Sequence, residues 1–154
     1  MSTLARFKKN GGFFQLLTLI ESCGPDKQRS LLHLVALEDP GWALLVKQKV
    51  LRFEKIMSWP SESLSLITPH IPDPLAATLL HCLTPALQEK WLGSFGNIRS
   101  KQIKYLSENL SVTSNEKTSA TIRLIQTIRE LDASGTVKMS ELDPSLSIPN
   151  KLVA

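Results

Sequence analysis

The stretch LEDPGWALLVKQKVLRFEKIM, residues 37–57, contains the clearest structural signals in the chain. An acidic pair meets Pro40, an apolar helical pattern follows, and that pattern is interrupted at residues 50–53. Proline is well tolerated in the first turn of a helix, because its missing N–H would have no partner there. The stretch therefore predicts that a helix begins at Asp39 and Pro40, and that one helical unit gives way to another after residue 51.

Apolar residues recur at helical spacing along most of the chain. One stripe consists of Phe13, Leu16, Leu17 and Ile20, a second of Leu31, Leu34 and Val35, and a third of Ile122, Ile125, Ile128 and Leu131. The β-branched alternation that is typical of strands is nearly absent. Gly135 follows the third stripe, as a glycine often follows the end of a helix. The sequence predicts an all-α fold with about eight helices.

The same signals divide the chain into segments. They are an armadillo-like repeat over 9–51, a hinge over 52–60, a second helical cluster over 61–138 and a flexible tail over 139–154. The repeat is predicted to comprise three helices, near 12–22, 26–38 and 40–51. No clear second copy follows, so the sequence does not predict an array. The tail is predicted to be flexible because Pro144 and Pro149 occur there without a periodic apolar face.

The composition is that of a folded globular protein, with 42% apolar and 21% charged residues among 154. Its two cysteines suit the cytoplasm, and with the three histidines they lack the spacing that is typical of zinc sites. Catalytic and phosphate-binding motifs are absent from the sequence. Residues 114–117 match S-x-x-K, but they precede the last long helix and are interpreted as a helix cap. The sequence therefore favours a protein that is not an enzyme and needs no cofactor.

A basic segment lies near residue 100 in a chain whose net charge is +4. Arg99, Lys101 and Lys104 occur there with Tyr105, but Glu108 follows and the pattern matches no known arrangement for reading DNA. The sequence therefore does not predict nucleic-acid binding. We expect a helix over 98–110 with its apolar residues towards the core and its charges outward. The expected core residues are Ile98, Ile103, Leu106 and Leu110, and the expected outward residues are Lys101, Lys104 and Glu108, of which the last two are spaced to form an exposed ion pair.

Several short motifs, taken in order, carry a family resemblance. They are EDP at 38–40 with Ala43, VLRFEKI at 50–56, EKWL at 89–92, NI at 97–98 with LSENL at 106–110, and REL at 129–131 before GTV at 135–137. In order and spacing they resemble the C-terminal half of the flagellar motor switch protein FliG, over about residues 9–138. That family has an acidic-Asp-Pro turn, a Met-Phe-x-Phe hinge and a helix with fixed charges at these positions.

The resemblance implies an armadillo-like three-helix repeat followed by a six-helix torque subdomain. It also implies two groups of functional residues. The charged ridge that would bind a partner consists of Arg99, Lys101, Lys104, Glu108 and Lys117. The hinge consists of Val50, Leu51, Arg52 and Phe53. We expect Arg52 to point outward and the three apolar hinge residues to be buried between the two subdomains.

The function implied by the resemblance is that of a component of the bacterial flagellar rotor and switch complex. Such a component presents its charged helix to the stator and takes part in torque generation or direction switching. The implied partners are switch-complex proteins, the cytoplasmic loop of the stator and further copies in a ring, with no nucleic acid and no membrane insertion. The implied location is cytoplasmic, at the inner-membrane face of the flagellar base.

An adaptor that keeps the fold without the motor task is the alternative. Asn109 stands where the family has the second residue of an acidic pair, so the charged ridge is more basic than in the family. The chain also carries no counterpart of the family's N-terminal domain or middle repeat. We therefore expect either a fragment of a longer protein or a stand-alone paralogue.

Overall fold

The computed structural model describes residues 4–148, and within them every regular element is helical. The α-helices are α1 Gly12–Glu21, α2 Pro25–Glu38, α3 Pro40–Lys49, α4 Phe53–Met57, α5 Ser61–Ile67, α6 Asp73–Leu80, α7 Pro85–Gly93, α8 Asn97–Glu108, α9 Ser114–Ser134 and α10 Met139–Leu142. Short 3-10 turns cover Ala5–Lys8, Thr68–His70 and Pro144–Leu146. The predicted all-α fold is confirmed.

The chain forms two compact units. Among the described residues, the first unit contains 4–51 with 143–148, and the second contains 52–142. Helices α1 to α3 belong to the first unit and α4 to α10 belong to the second. Within 61–138 the second unit has the five α-helices α5 to α9 and the 3-10 turn Thr68–His70, which together are six helical elements.

The core of the first unit is built on one face of α1. Phe13, Leu16, Leu17 and Ile20 are all buried, as their helical spacing predicts. The ring of Phe13 packs edge-to-face against Trp42 of α3, with 5.4 Å between the ring centroids. Aromatic pairs in this geometry add stabilisation to that of burial alone.

The start of α3 forms as the opening stretch predicts. Pro40 occupies the first turn, and the Oδ1 atom of Asp39 accepts a hydrogen bond from the Trp42 N–H at 3.1 Å. The Oδ2 atom of the same carboxylate lies 2.9 Å from Lys8 Nζ. The bond from Lys8, followed by that from the Trp42 N–H, lowers the pKa of Asp39 below its ordinary value.

The apolar stripe of α2 differs from the prediction. Leu34 is 51% exposed, whereas Leu32 and Val35 are buried and Leu31 is half-buried. Helix α2 contacts both α1 and α3, so the side of α2 that carries Leu32 and Val35 faces the core. Leu34 lies about 100° from Val35 around the helix and falls outside that side.

Residues 139–148 differ from the flexible tail that the sequence predicts. They form α10 and a 3-10 turn in which Met139, Leu142 and Leu146 are buried. Pro144 begins the turn, and Asp143 caps it by accepting a hydrogen bond from the Ser145 N–H at 3.1 Å. Pro144 therefore marks the start of a turn rather than a loss of structure. Residues 149–154, which include Pro149, lie outside the described part.

The core of the second unit is centred on Trp91 of α7. Its side chain is fully buried, and its Nε1–H donates to the Ala76 carbonyl at 3.2 Å. Phe95 packs edge-to-face on the same indole, with 4.9 Å between ring centroids. Helix α9 contributes buried Ile125, Ile128 and Leu131, as its stripe predicts, while Ile122 is half-buried. Gly135 ends α9 with φ 76°, the left-handed conformation expected after a helix.

Candidate partner-binding surface

Helix α8 carries most of the residues that the sequence singles out for partner binding. It starts after Gly96, whose φ of 82° and ψ of 166° are readily adopted only by glycine. Within α8, Ile103 is the buried residue and is completely enclosed. The helix packs mainly on α6 and also contacts α7. It therefore has one inner side and one broad outer side.

Arg99 holds the first turn of α8 to the body of the second unit. Its Nε and Nη2 atoms donate to Asp73 Oδ1 at 3.0 and 2.5 Å. Its Nη1 and Nη2 atoms also donate to the carbonyls of Thr68 and Ile71, at 2.9 and 2.6 Å. The guanidinium lies 4.8 Å from the centroid of the Phe95 ring. Arg99 is therefore a positioning residue for α8, and its assignment to an exposed charged ridge is corrected.

His81 holds the last turn of α8. His81 Nε2 lies 2.9 Å from the Ser107 carbonyl oxygen, which can only accept, so the imidazole donates this hydrogen bond. Just after the helix, Asn109 Nδ2 donates a hydrogen bond to the Tyr105 carbonyl at 2.8 Å. This bond satisfies one of the carbonyl groups at the end of α8 that have no partner within the helix. With Arg99 at one end and His81 at the other, the rotation of α8 about its axis is fixed.

The outer side of α8 presents a mixed surface that we call the outer ridge. It consists of Ile98, Lys101, Tyr105 and Glu108. All four are exposed, and their spacings of three and four residues place them along one line of the helix. Ile98 is 77% and Tyr105 68% exposed.

The exposure of Ile98 shows that the predicted core side of α8 is wrong. Ile98 and Ile103 are five residues apart and therefore lie about 140° apart around a helix, too far to share one side. The buried position of Ile103 consequently turns Ile98 towards solvent. Leu106 and Leu110 are also exposed, at 36% and 40%. The exposed apolar residues Ile98 and Tyr105 are not among the predicted partner-binding residues, and the five-residue spacing of Ile98 and Ile103 indicated only that these two could not share one buried side.

The two lysines and the glutamate of this region are solvent-exposed. Lys104 lies beside the outer ridge, about 60° around the helix from Lys101. Among the described residues, neither lysine forms a salt bridge, and the expected pair of Lys104 with Glu108 is absent. Their charges are therefore available to a partner.

Lys117 lies on another helix. It belongs to the first turns of α9, which Thr113 caps by accepting a hydrogen bond from the Glu116 N–H at 3.2 Å. Burial raises the pKa of the Cys82 thiol, and the nearby charge of Lys117 partly opposes that rise. Within the described part of the chain, no hydrogen bond or salt bridge joins Lys117 to α8. Lys117 therefore lies on a different helix from the outer ridge.

The predicted hinge residues surround a break between α3 and α4. Residues 50–52 are not helical, so no continuous helix runs through them. Val50 and Leu51 are buried, Arg52 is exposed and Phe53 is half-buried. The Leu51 N–H donates to the buried Glu21 carboxylate at 2.6 Å, which fixes the end of the first unit. The hinge role of these residues stays a prediction.

Other chemistry is sparse in residues 4–148. No group of three or more histidine, cysteine or acidic side chains is arranged to hold a metal ion there. A cleft of about 270 Å³ in the second unit is lined mainly by apolar side chains, including Phe53, Met57 and Leu83, with Cys82 at one wall. In the same residues no helix combines the length and the apolar character needed to cross a membrane.

Two helical units and a firmly held surface helix with a mixed apolar and charged outer side define the class, an all-α protein. The family model of the FliG C-terminal domain matches residues 34–139. Because this match covers more than half of the chain, the protein belongs to that family, and the resemblance found in the sequence is confirmed.

A solved structure supports the fold. The full-length FliG from Aquifex aeolicus is similar over 82% of this chain and 40% of that chain, with a TM-score of 0.51 and 17% sequence identity. At this identity the similarity concerns the fold alone. The chain thus spans well under half the length of that FliG. None of the curated proteins matches the chain significantly.

Proposed function

We propose that this protein is a FliG-like component of the bacterial flagellar rotor and switch complex. It presents α8 to the stator and takes part in torque generation or direction switching. The observation that carries the proposal is the family match over residues 34–139. The firm attachment of α8 through Arg99 and His81 supports it, because a surface that transmits force must not rotate or detach.

The physical demands of this role fit the exposed chemistry of α8. A rotor element needs no catalytic group, only charges held on a stiff helix. Exposed ion pairs contribute about 0.2–1 kcal/mol each, which suits contacts that form and break in passing. Physiological salt screens such charges beyond about 8 Å, so they must project from the surface. Lys101 and Lys104 meet this requirement.

The partners follow from the same proposal. They are other switch-complex proteins, the cytoplasmic loop of the stator and further copies of this chain in a ring. The protein would act on the cytoplasmic face of the inner membrane at the flagellar base, as a structural and not an enzymatic component. Each of these assignments comes from the family and not from a contact in the structure.

Deletion of the gene tests the proposal. We expect the deletion strain to swim poorly or to switch direction abnormally, and a wild-type copy to restore it. A fluorescent fusion of the full chain should form foci at flagellar bases. Normal motility in the deletion strain, with the fusion away from the bases, would contradict the proposal.

The second candidate function is a protein–protein adaptor without a motor task. Asn109 favours it, because this side chain replaces an acid of the family and is used to bind the Tyr105 carbonyl at the end of α8. Affinity purification separates the two functions. Recovery of flagellar switch proteins supports the motor component, whereas recovery of non-flagellar proteins alone supports the adaptor.

A further inference from the structure

Residues 143–148, which we call the strap, follow the last helix of the second unit but belong to the first unit. Lys49 Nζ of α3 donates a hydrogen bond to the Ser145 carbonyl at 2.8 Å. The 3-10 turn of the strap contacts α3, and Ile148 packs against the apolar core of the first unit. Leu146 is buried. The strap is therefore a part of the first unit that the chain reaches only after it has completed the second.

The chain consequently passes between the two units twice, once after residue 51 and again after residue 142. The first passage is short. Leu51 is completely buried and its N–H is bonded to the Glu21 carboxylate, while α4 already begins at Phe53. Arg52, the residue between them, has an extended backbone with φ −121° and ψ 149°. The ends of this passage are thus fixed on both sides.

The second passage is as short as the first. Helix α10 is held in the second unit by its contacts with α5 and by the Met139 N–H, which donates to Asp132 Oδ1 at 2.8 Å. Leu142 ends that helix and is buried. Asp143 follows directly, with an extended backbone at φ −158° and ψ 96°. No linker residue therefore separates the end of the second unit from the strap.

We propose that the strap is a releasable second tether, which restrains the relative motion of the two units while it is bound to α3 and permits that motion at the break over 50–52 once it detaches. Two units that are joined once move relative to each other by changes in the backbone angles of the connection. A second short connection closes a loop through both units and opposes such changes. The inference goes beyond the proposed function, because it concerns the chain itself whichever partner it binds.

The strap is expected to open before the rest of the first unit. Its hydrogen bond from Lys49 is exposed, whereas the bond from the Leu51 N–H to Glu21 at the first passage is buried. Ordering the residues of the strap costs conformational entropy, which its short contact with the first unit must offset. Segments with few buried contacts open locally at a lower free energy than the unit to which they belong. We therefore expect the strap to detach while α1 to α3 stay folded.

The variant Leu146→Asp is designed to release the strap. A carboxylate in place of a buried leucine favours the open state, in which water solvates the charge. We expect amide hydrogen exchange over the strap to become at least about tenfold faster, and exchange in α1 to stay as in the wild type. Leu44→Asp is the matched control, because Leu44 of α3 is 59% exposed and receives the same change outside the strap.

The variant Lys49→Ala tests the same release more gently and serves if Leu146→Asp does not fold. It removes the donor of the bond to the Ser145 carbonyl, so we expect exchange over the strap to rise by about 2- to 10-fold. Lys47→Ala removes an exposed lysine of the same helix and should leave that exchange unchanged. A strap that stays protected in both release variants would overturn the proposal.

Distances between the units test the restraint itself. Spin labels are attached through Lys27→Cys in α2 and Glu130→Cys in α9, both exposed positions, in the full chain with its two native cysteines replaced by serine. Double electron–electron resonance should give a narrow distance distribution for this chain and for both control variants. We expect a broad distribution in Leu146→Asp and a partly broadened one in Lys49→Ala. A broad distribution before release, or a narrow one with the strap detached, would overturn the proposal.

The tether and the motor function can fail separately. If the protein is absent from flagellar bases while release of the strap broadens the distance distribution, the tether stands and the motor function fails. If the protein is found at flagellar bases while release leaves the distribution unchanged, the motor function stands and the tether fails.

Discussion

At the scale of single residues, two basic side chains of α8 differ in what they contact. Arg99 binds Asp73, two backbone carbonyls and the face of Phe95 within the second unit. Lys101 is exposed and makes no salt bridge among the described residues. Their positions along the sequence do not distinguish them, because both lie in one basic segment. The difference depends on Asp73, which is 26 residues away from Arg99.

Substitution of these two residues by alanine should affect the free energy of unfolding differently. We expect Arg99→Ala to lower the free energy of unfolding by about 1–3 kcal/mol, because charged hydrogen bonds to Asp73 and the carbonyls are lost. Lys101→Ala, the matched control on the same helix, should change it by less than about 0.5 kcal/mol. Urea denaturation measures both, and equal effects would show that Arg99 does not anchor α8.

Asp39 gives a pH-dependent prediction. Its pKa is lowered in the folded protein, so its contribution to stability is complete above the ordinary value and is lost as the pH falls through the lowered folded value. Asp39→Asn keeps an oxygen that can cap α3 but removes the charge that binds Lys8. We expect the variant to be less stable than the wild type at neutral pH.

The same comparison at acid pH provides the check. The stability difference between wild type and Asp39→Asn should shrink as the pH falls from the ordinary pKa of the carboxyl through the lowered folded pKa, below which the wild-type side chain is neutral as well. Urea titrations at a series of pH values measure it. A difference that is independent of pH would exclude the bond to Lys8 as its source.

At the scale of elements, the ends of α-helices were easier to predict than the sides that they bury. Asp39 with Pro40 and Gly135 are local signals, and each acts as predicted. The buried side of α8 depends on how α6 and α7 pack against it, which local spacing does not specify. Ile98 and Ile103 could not both be buried, and the sequence alone did not indicate which one would be.

The charges of α8 can be reversed without touching its core. We expect the double variant Lys101→Glu with Lys104→Glu to alter motility or partner affinity while leaving the melting temperature nearly unchanged, because both side chains are exposed. Swimming assays and thermal unfolding measure the two effects. If neither motility nor any partner affinity changes, the charges of α8 are solvated surface groups that take no part in partner binding.

The residues at the break between α3 and α4 differ in burial, and we expect their substitution to affect stability differently. Leu51 is completely buried, so Leu51→Ala should cost about 2–5 kcal/mol. Phe53 is only half-buried, so Phe53→Ala should cost less than the roughly 3–5 kcal/mol that is typical of a fully buried phenylalanine. Chemical denaturation compares them, and a larger loss for Phe53→Ala than for Leu51→Ala would contradict the half-buried position of the Phe53 side chain.

At the scale of the whole molecule, the order of short motifs was more informative than any single one. EDP, VLRFEKI and the segment over 97–110 are each loose, but their succession led to the family that the match over 34–139 establishes. The ordered residues 139–148 were not predicted, because their few apolar side chains form no long periodic stripe.

The most direct test of the motor function is the position of the full chain in living cells. A fluorescent fusion, expressed at its native level, is imaged together with a labelled basal-body protein. A rotor or switch component is expected to form foci that coincide with flagellar bases. A diffuse signal, or foci at other sites in cells whose motors are assembled, would contradict the account.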